Sequence, residues 1–65
     1  MTRDEIIDRR DALEDIMTTL QTAMKDLSAQ GCTMEADMAD EIVIDLKNRI
    51  ALCNEEIIRR EEEGE

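Results

Sequence analysis

Apolar residues recur along the first half of the chain at helical spacing. Ile6, Leu13, Leu20 and Leu27 follow one another every seven residues. Ile16 and Ala23 stand three positions after members of that series, and Met17 and Met24 stand four after. These positions trace one stripe of an amphipathic helix, whose other faces carry Asp8, Asp11, Glu14, Asp15, Thr18, Gln21, Thr22 and Lys25. Thr2 with Glu5 three residues later fits a capping box, and Asp4 and Glu5 put negative charge at the positive end of the helix dipole. The spacing predicts a helix over 3–29. Arg9 falls in this stripe, with its stem along the seam and its head reaching for water.

The stretch "AQGCT" then interrupts the pattern, with Gly31 the only glycine in the chain's interior. A glycine just past a helix end tolerates the left-handed conformation that closes many helices. Cys32 after it could touch Leu27, and Thr33 reads as the N-cap of a second helix, with Glu35 and Asp37 in its first turn. From there Ala39, Val43, Leu46, Ile50, Cys53 and Ile57 alternate spacings of four and three, the mark of a coiled-coil seam. The expectation is a turn at 30–33, a helix over 34–61 and a frayed acidic tail at 63–65, residues 1–62 forming one unit.

Two long amphipathic helices joined by so short a loop make an antiparallel hairpin, an all-α fold. The seams hold Ile6, Leu13, Ile16, Met17, Leu20, Met24, Leu27, Ala39, Val43, Leu46, Ile50, Cys53 and Ile57. They do not use every apolar residue. Ile7, Met38, Ile42, Ile44, Ala51, Leu52 and Ile58 lie beside or off them. A 65-residue chain buries only about 60% of its unfolded surface, and small scaffolds commonly need a staple or a partner. The surplus points to a homodimer, two hairpins forming a four-helix bundle or coiled coil. Folding at residue 31 or 32 brings positions summing to roughly 63 side by side, Arg9 and Arg10 near Glu55 and Glu56, Arg59 and Arg60 near Asp4, Glu5 and Asp8.

Composition narrows the function. The chain has 40% charged residues, a net charge of −10, and no proline, histidine or aromatic residue. Such a charge opposes nucleic acid and anionic membranes and favours a basic protein partner. The longest apolar runs, "IVI" and "IALC", fall far short of a membrane span, and no leader-like segment opens the chain, so a cytoplasmic protein is expected. Without histidine the commonest general base is missing, and no serine or cysteine has a recognisable activating partner; an enzyme is not expected. No cofactor or metal is expected either, since no thiol or imidazole ligand spacing exists and carboxylates on one straight helix make a poor cage. On a shared helix Cys32 and Cys53 would lie about 31 Å apart, which excludes a bond between them.

In length, topology and heptad pattern the chain resembles the Rop family of plasmid copy-number regulators, dimeric bundles of helical hairpins that bind paired RNA loops. That resemblance implies a four-helix dimer and an RNA- or DNA-binding adaptor. The outer face here, with Asp8, Asp11, Glu14 and Asp15 and no aromatic residue, differs from the basic, aromatic-bearing RNA face of that family. In style, the opening "MTRDEIIDRRDALEDIMTTL" is similar to small acidic accessory proteins of temperate bacteriophages, which implies a modulator of a host or phage protein in the host cytoplasm. The leading expectation is a non-enzymatic regulatory or adaptor protein that works by protein–protein contact. Its candidate partner surface is Asp8, Asp11, Asp15, Asp37, Asp40, Glu41 and Asp45, or an apolar strip around Ile44, Leu52 and Ile58. The alternative is the nucleic-acid adaptor.

Overall fold

Two helices folded back on each other make up the computed structural model, which describes residues 2–64. Helix α1 spans Arg3–Ala29 and helix α2 spans Thr33–Glu62. The Thr2 hydroxyl opens α1 by accepting the Glu5 N–H at 3.3 Å, and itself donates to the Glu5 carboxylate at 3.2 Å. One of the helix's orphan donors is thereby satisfied.

Gly31 ends α1 at φ +80°, the left-handed region. The Gly31 N–H donates to the Ser28 carbonyl at 3.1 Å and the Cys32 N–H to the Leu27 carbonyl at 2.8 Å. That paired pattern is the Schellman motif, which closes the last turn of a helix. The chain re-enters helix at once, with the Cys32 carbonyl accepting the Ala36 N–H at 3.0 Å. The N-cap position of α2 is therefore Cys32 and not Thr33, and no side chain caps this end. The Schellman bonds tie Cys32 to α1, so Thr33 is already the first helical residue. Gly64 takes the same left-handed conformation beyond α2, at φ +81° with its N–H on the Glu61 carbonyl at 3.1 Å. Of the tail expected at 63–65, Glu63 and Gly64 follow α2 in a turn, and Glu65 lies outside the described residues.

The helices meet along one seam. On α2 the buried residues are Ala36, Ala39, Val43, Leu46, Ile50 and Ile57, with Cys53 half-buried between the last two. Ala36 extends the seam one step beyond the residues the sequence reading assigned. On α1 the facing row is Arg3, Ile6, Arg10, Leu13, Met17, Leu20, Met24 and Leu27, of which Ile6 is buried and the others are half-buried. Arg10, and not Arg9, occupies the seam, and Ile16 is 50% exposed beside it. The apolar stripe of α1 is three rows wide, and one partner helix covers two. The 10/17/24 row turns inward and the 9/16/23 row stays at the flank.

The register is marked by polar contacts across the hairpin. Arg3 Nη1 lies 3.6 Å from Glu61 Oε1, and Arg10 Nη1 donates to Asn54 Oδ1 at 3.2 Å; in both pairs the residue numbers total 64. Glu56 does not serve as the expected partner of Arg10. It accepts hydrogen bonds from Arg59 and Arg60, one turn further along its own helix.

Candidate interaction surface

The rod measures 50 × 14 × 13 Å, with a radius of gyration of 15.0 Å against about 11 Å for a compact domain of this length. Its accessible surface is 4787 Å², where a compact monomer of 7.5 kDa exposes about 4200 Å². The best-covered large side chain, Val43, keeps 3% of its surface. Met34, Met38, Ile42, Ile44, Leu52, Ile58 and Ile16 are each at least half exposed. Isolated exposed leucines need no explanation, but a chain of them on a thin rod does.

Helical geometry sorts these residues into two faces. With the 3–4 seam inward, the row Arg9, Ile16, Ala23 of α1 flanks the row Ile42, Arg49, Glu56 of α2 on one side. Ala12, Thr19, Met38 and Leu52 lie just outside those rows. A groove of about 420 Å³ opens on this side, lined by Ile6, Arg9, Leu13, Arg49, Leu52, Cys53, Glu56 and Arg60. Its floor is the upper edge of the seam and its rim is mostly arginine. The same face runs on toward the turn through Ile16, Ile42 and Met38, so an apolar strip extends over much of the hairpin. On the opposite side of α2, Ile44, Ala51 and Ile58 recur every seven residues with Asp37.

The candidate residues divide between these faces. Leu52 belongs to the groove side, while Ile44 and Ile58 belong to the other; the outermost row of α2, Glu41, Asn48 and Glu55, separates them. The strip grouped around Ile44, Leu52 and Ile58 is therefore two strips. The acidic candidates Asp8, Asp11, Asp15, Asp37, Asp40, Glu41 and Asp45 are all exposed, but they do not form one patch. The three from α1 lie in the half away from the turn. Those from α2 lie nearer the turn, with Asp45 on the groove side and Asp37 and Asp40 on the other.

The side chains whose ionisation shifts all lie on α2 and owe the shift chiefly to neighbours on that helix. Hydrogen bonds from Arg59 and Arg60 hold the Glu56 carboxyl below its ordinary range, and the Arg59 guanidinium is raised in return, chiefly by its bond to Glu56. Asp45 Oδ2 accepts from Arg49 Nε at 2.9 Å, which raises the Arg49 guanidinium. Arg10 reaches both Asn54 and, at 3.2 Å, Asp11. Cys53 lies half-buried on the groove and Cys32 half-buried in the turn, both as free thiols. Among the described residues no three carboxylates or thiols gather closely enough to hold a metal ion, and no helix is long and apolar enough to cross a membrane.

The groove side was the part least visible in the pattern. Arg9, Arg49, Leu52, Glu56 and Arg60 come from both helices, and only the hairpin's register aligns them. Compared with protein-family models, curated proteins and solved structures, the chain matches none.

Proposed function

We propose that the protein is a non-enzymatic adaptor or regulator that works by protein–protein contact as a helical dimer. The observation that carries this reading is the unfinished core. Seven large apolar side chains stand half or more exposed on a rod whose surface exceeds that of a compact chain of its mass. In a dimer that covers the groove face, the acidic residues off that face, Asp37, Asp40 and Glu41 among them, remain outward, together with Ile44 and Ile58. That remaining surface suits a protein partner with a basic contact face, since charge complementarity speeds and orients docking. In the phage-accessory reading the partner is a host or phage protein whose activity is modulated by being occupied.

Two measurements test this. Light scattering across a hundredfold range of concentration should return twice the chain mass. Affinity capture from cells should retain a partner that is lost at high salt and lost again when Asp37, Asp40 and Glu41 are changed to their amides. Monomer mass throughout, or retention indifferent to salt and to those amides, overturns the corresponding half of the proposal. A second reading, an RNA- or DNA-binding adaptor, is favoured by one observation, the arginines on the groove rim. It requires a gel shift at low salt that disappears in the Arg9→Ala, Arg60→Ala double variant. No shift at micromolar protein removes it.

A further inference from the structure

The groove face is better matched to one arrangement of two copies than to another. We infer that the dimer forms through the face bearing Ile16, Met38, Ile42 and Leu52, with both turns at the same end of the bundle. This inference rests on the dimer reading above.

Consider two hairpins laid face to face and related by a twofold axis along their length. Helix α1 of one copy then lies over α2 of the other, at the same height. Positions whose numbers total about 64 become neighbours between the copies, as they already are within each hairpin. Large side chains fall over small ones: Leu52 over the partner's Ala12, and Ile42 over the partner's Ala23. Ile16 lies against the aliphatic stem of the partner's Arg49. Charges fall over opposite charges, Arg9 near the partner's Glu56 and Arg60 near the partner's Glu5. Around the bundle at that height the order is Arg9, Glu56, the partner's Arg9, the partner's Glu56, so every neighbour carries the opposite sign. Leu52, which rims the groove at the surface of one chain, would close the groove of the pair.

The opposed arrangement, with turns at opposite ends, stacks each helix on its own copy. Centring the apolar strip, which runs from Met38 to Leu52, on itself sets Glu35 beside the partner's Glu56, two carboxylates together. Arg9 then faces the partner's Gln30 in place of the partner's Glu56. Both arrangements cover the same apolar residues. Charge and the fit of large against small residues separate them, as they do in designed coiled coils.

The rod's length makes the two arrangements easy to distinguish. In the Cys53→Ala protein, a nitroxide on Cys32 labels the turn alone. Packed helix axes lie 8–10 Å apart, so same-end turns bring the two labels within about 30 Å. Opposite-end turns, with the strip centred on itself near residue 45, would hold them about 40 Å apart, since Cys32 lies thirteen residues from that centre at about 1.5 Å per residue. A dipolar distance under about 30 Å supports the inference. A distance of about 40 Å or more overturns it while leaving the dimer standing, and absence of dipolar coupling at monomer mass overturns the dimer itself. The choice of face has its own measurement. Ile42→Glu should weaken dimerisation at least tenfold, and Ile44→Glu, on the other side, should leave it unchanged; the reverse result assigns the interface to the wrong face. Should Ile42→Glu fail to fold, the same comparison is made with Ala23→Glu, whose small side chain contributes little to the seam.

Discussion

Gly31 stands at φ +80° with nothing within 4 Å of where a Cβ would sit. The cost of replacing it is therefore conformational and not steric with neighbours. Gly31→Ala should lower stability by about 1 kcal/mol, Gly31→Asn by less, and Gly31→Val by more, as read from urea unfolding. Equal stability of all four proteins would mean that the Schellman turn does not persist in solution. At the other end, Glu56 is a depressed carboxyl held by Arg59 and then Arg60. A group whose folded value is lowered contributes stability that is complete above its unfolded value and is lost as pH falls through the folded one. Carboxyl NMR should find Glu56 titrating below the ordinary glutamate value of about 4.3, and Arg59→Ala should bring it back toward that value. An ordinary titration in the unaltered protein contradicts the pairing.

Each helix is a strip of apolar rows with caps at its ends, and the two strips were legible to different degrees. The α2 seam stands out because strict 4–3 spacing leaves one choice of inward face, and Val43, Leu46, Ile50 and Ile57 are buried there. Leu46→Glu should cost several kcal/mol, comparable to the whole stability of a chain this size, and should abolish the cooperative helical signal in circular dichroism. Retained helicity and mass would mean that Leu46 does not face α1. On α1 the stripe was broader, and the sequence alone could not say whether Ile16 or Met17 turned inward. Arg10 in the row that did turn inward finds an acceptor in Asn54. A double-mutant cycle on Arg10 and Asn54 should give a coupling of about 0.5–1 kcal/mol, since the contact is only part-buried. Zero coupling would detach the register from that pair.

At the scale of the whole molecule, the proposed dimer can be tested through the thinness of the rod. A rod 14 × 13 Å in cross-section is one helix pair thick, so only the single seam is covered and the flanking apolar rows face water. Folding coupled to dimerisation makes stability depend on concentration, by about 1.4 kcal/mol per mole of dimer for each tenfold change. Thermal midpoints should accordingly rise between micromolar and hundred-micromolar protein. An invariant midpoint over that range would show that the single hairpin is sufficient. The same incompleteness explains why the candidate surface was only half readable. Exposure of Ile44, Leu52 and Ile58 follows from their distance from the seam. Their division between two faces follows from how α2 is rotated against α1.

The sequence by itself determined the all-α hairpin. Periodicity counts residues along one helix, and capping chemistry is local to a few residues, so a stretch such as "LSAQGCT" carries its own instruction to stop and turn. Only the tertiary structure decided which rows of α1 face inward, that Arg10 and not Arg9 enters the seam, and that three arginines and Leu52 rim one groove. Those facts depend on the rotation and register of one helix against the other. Both are fixed by contacts between residues distant in sequence, 44 positions apart for Arg10 and Asn54, and no local spacing records them.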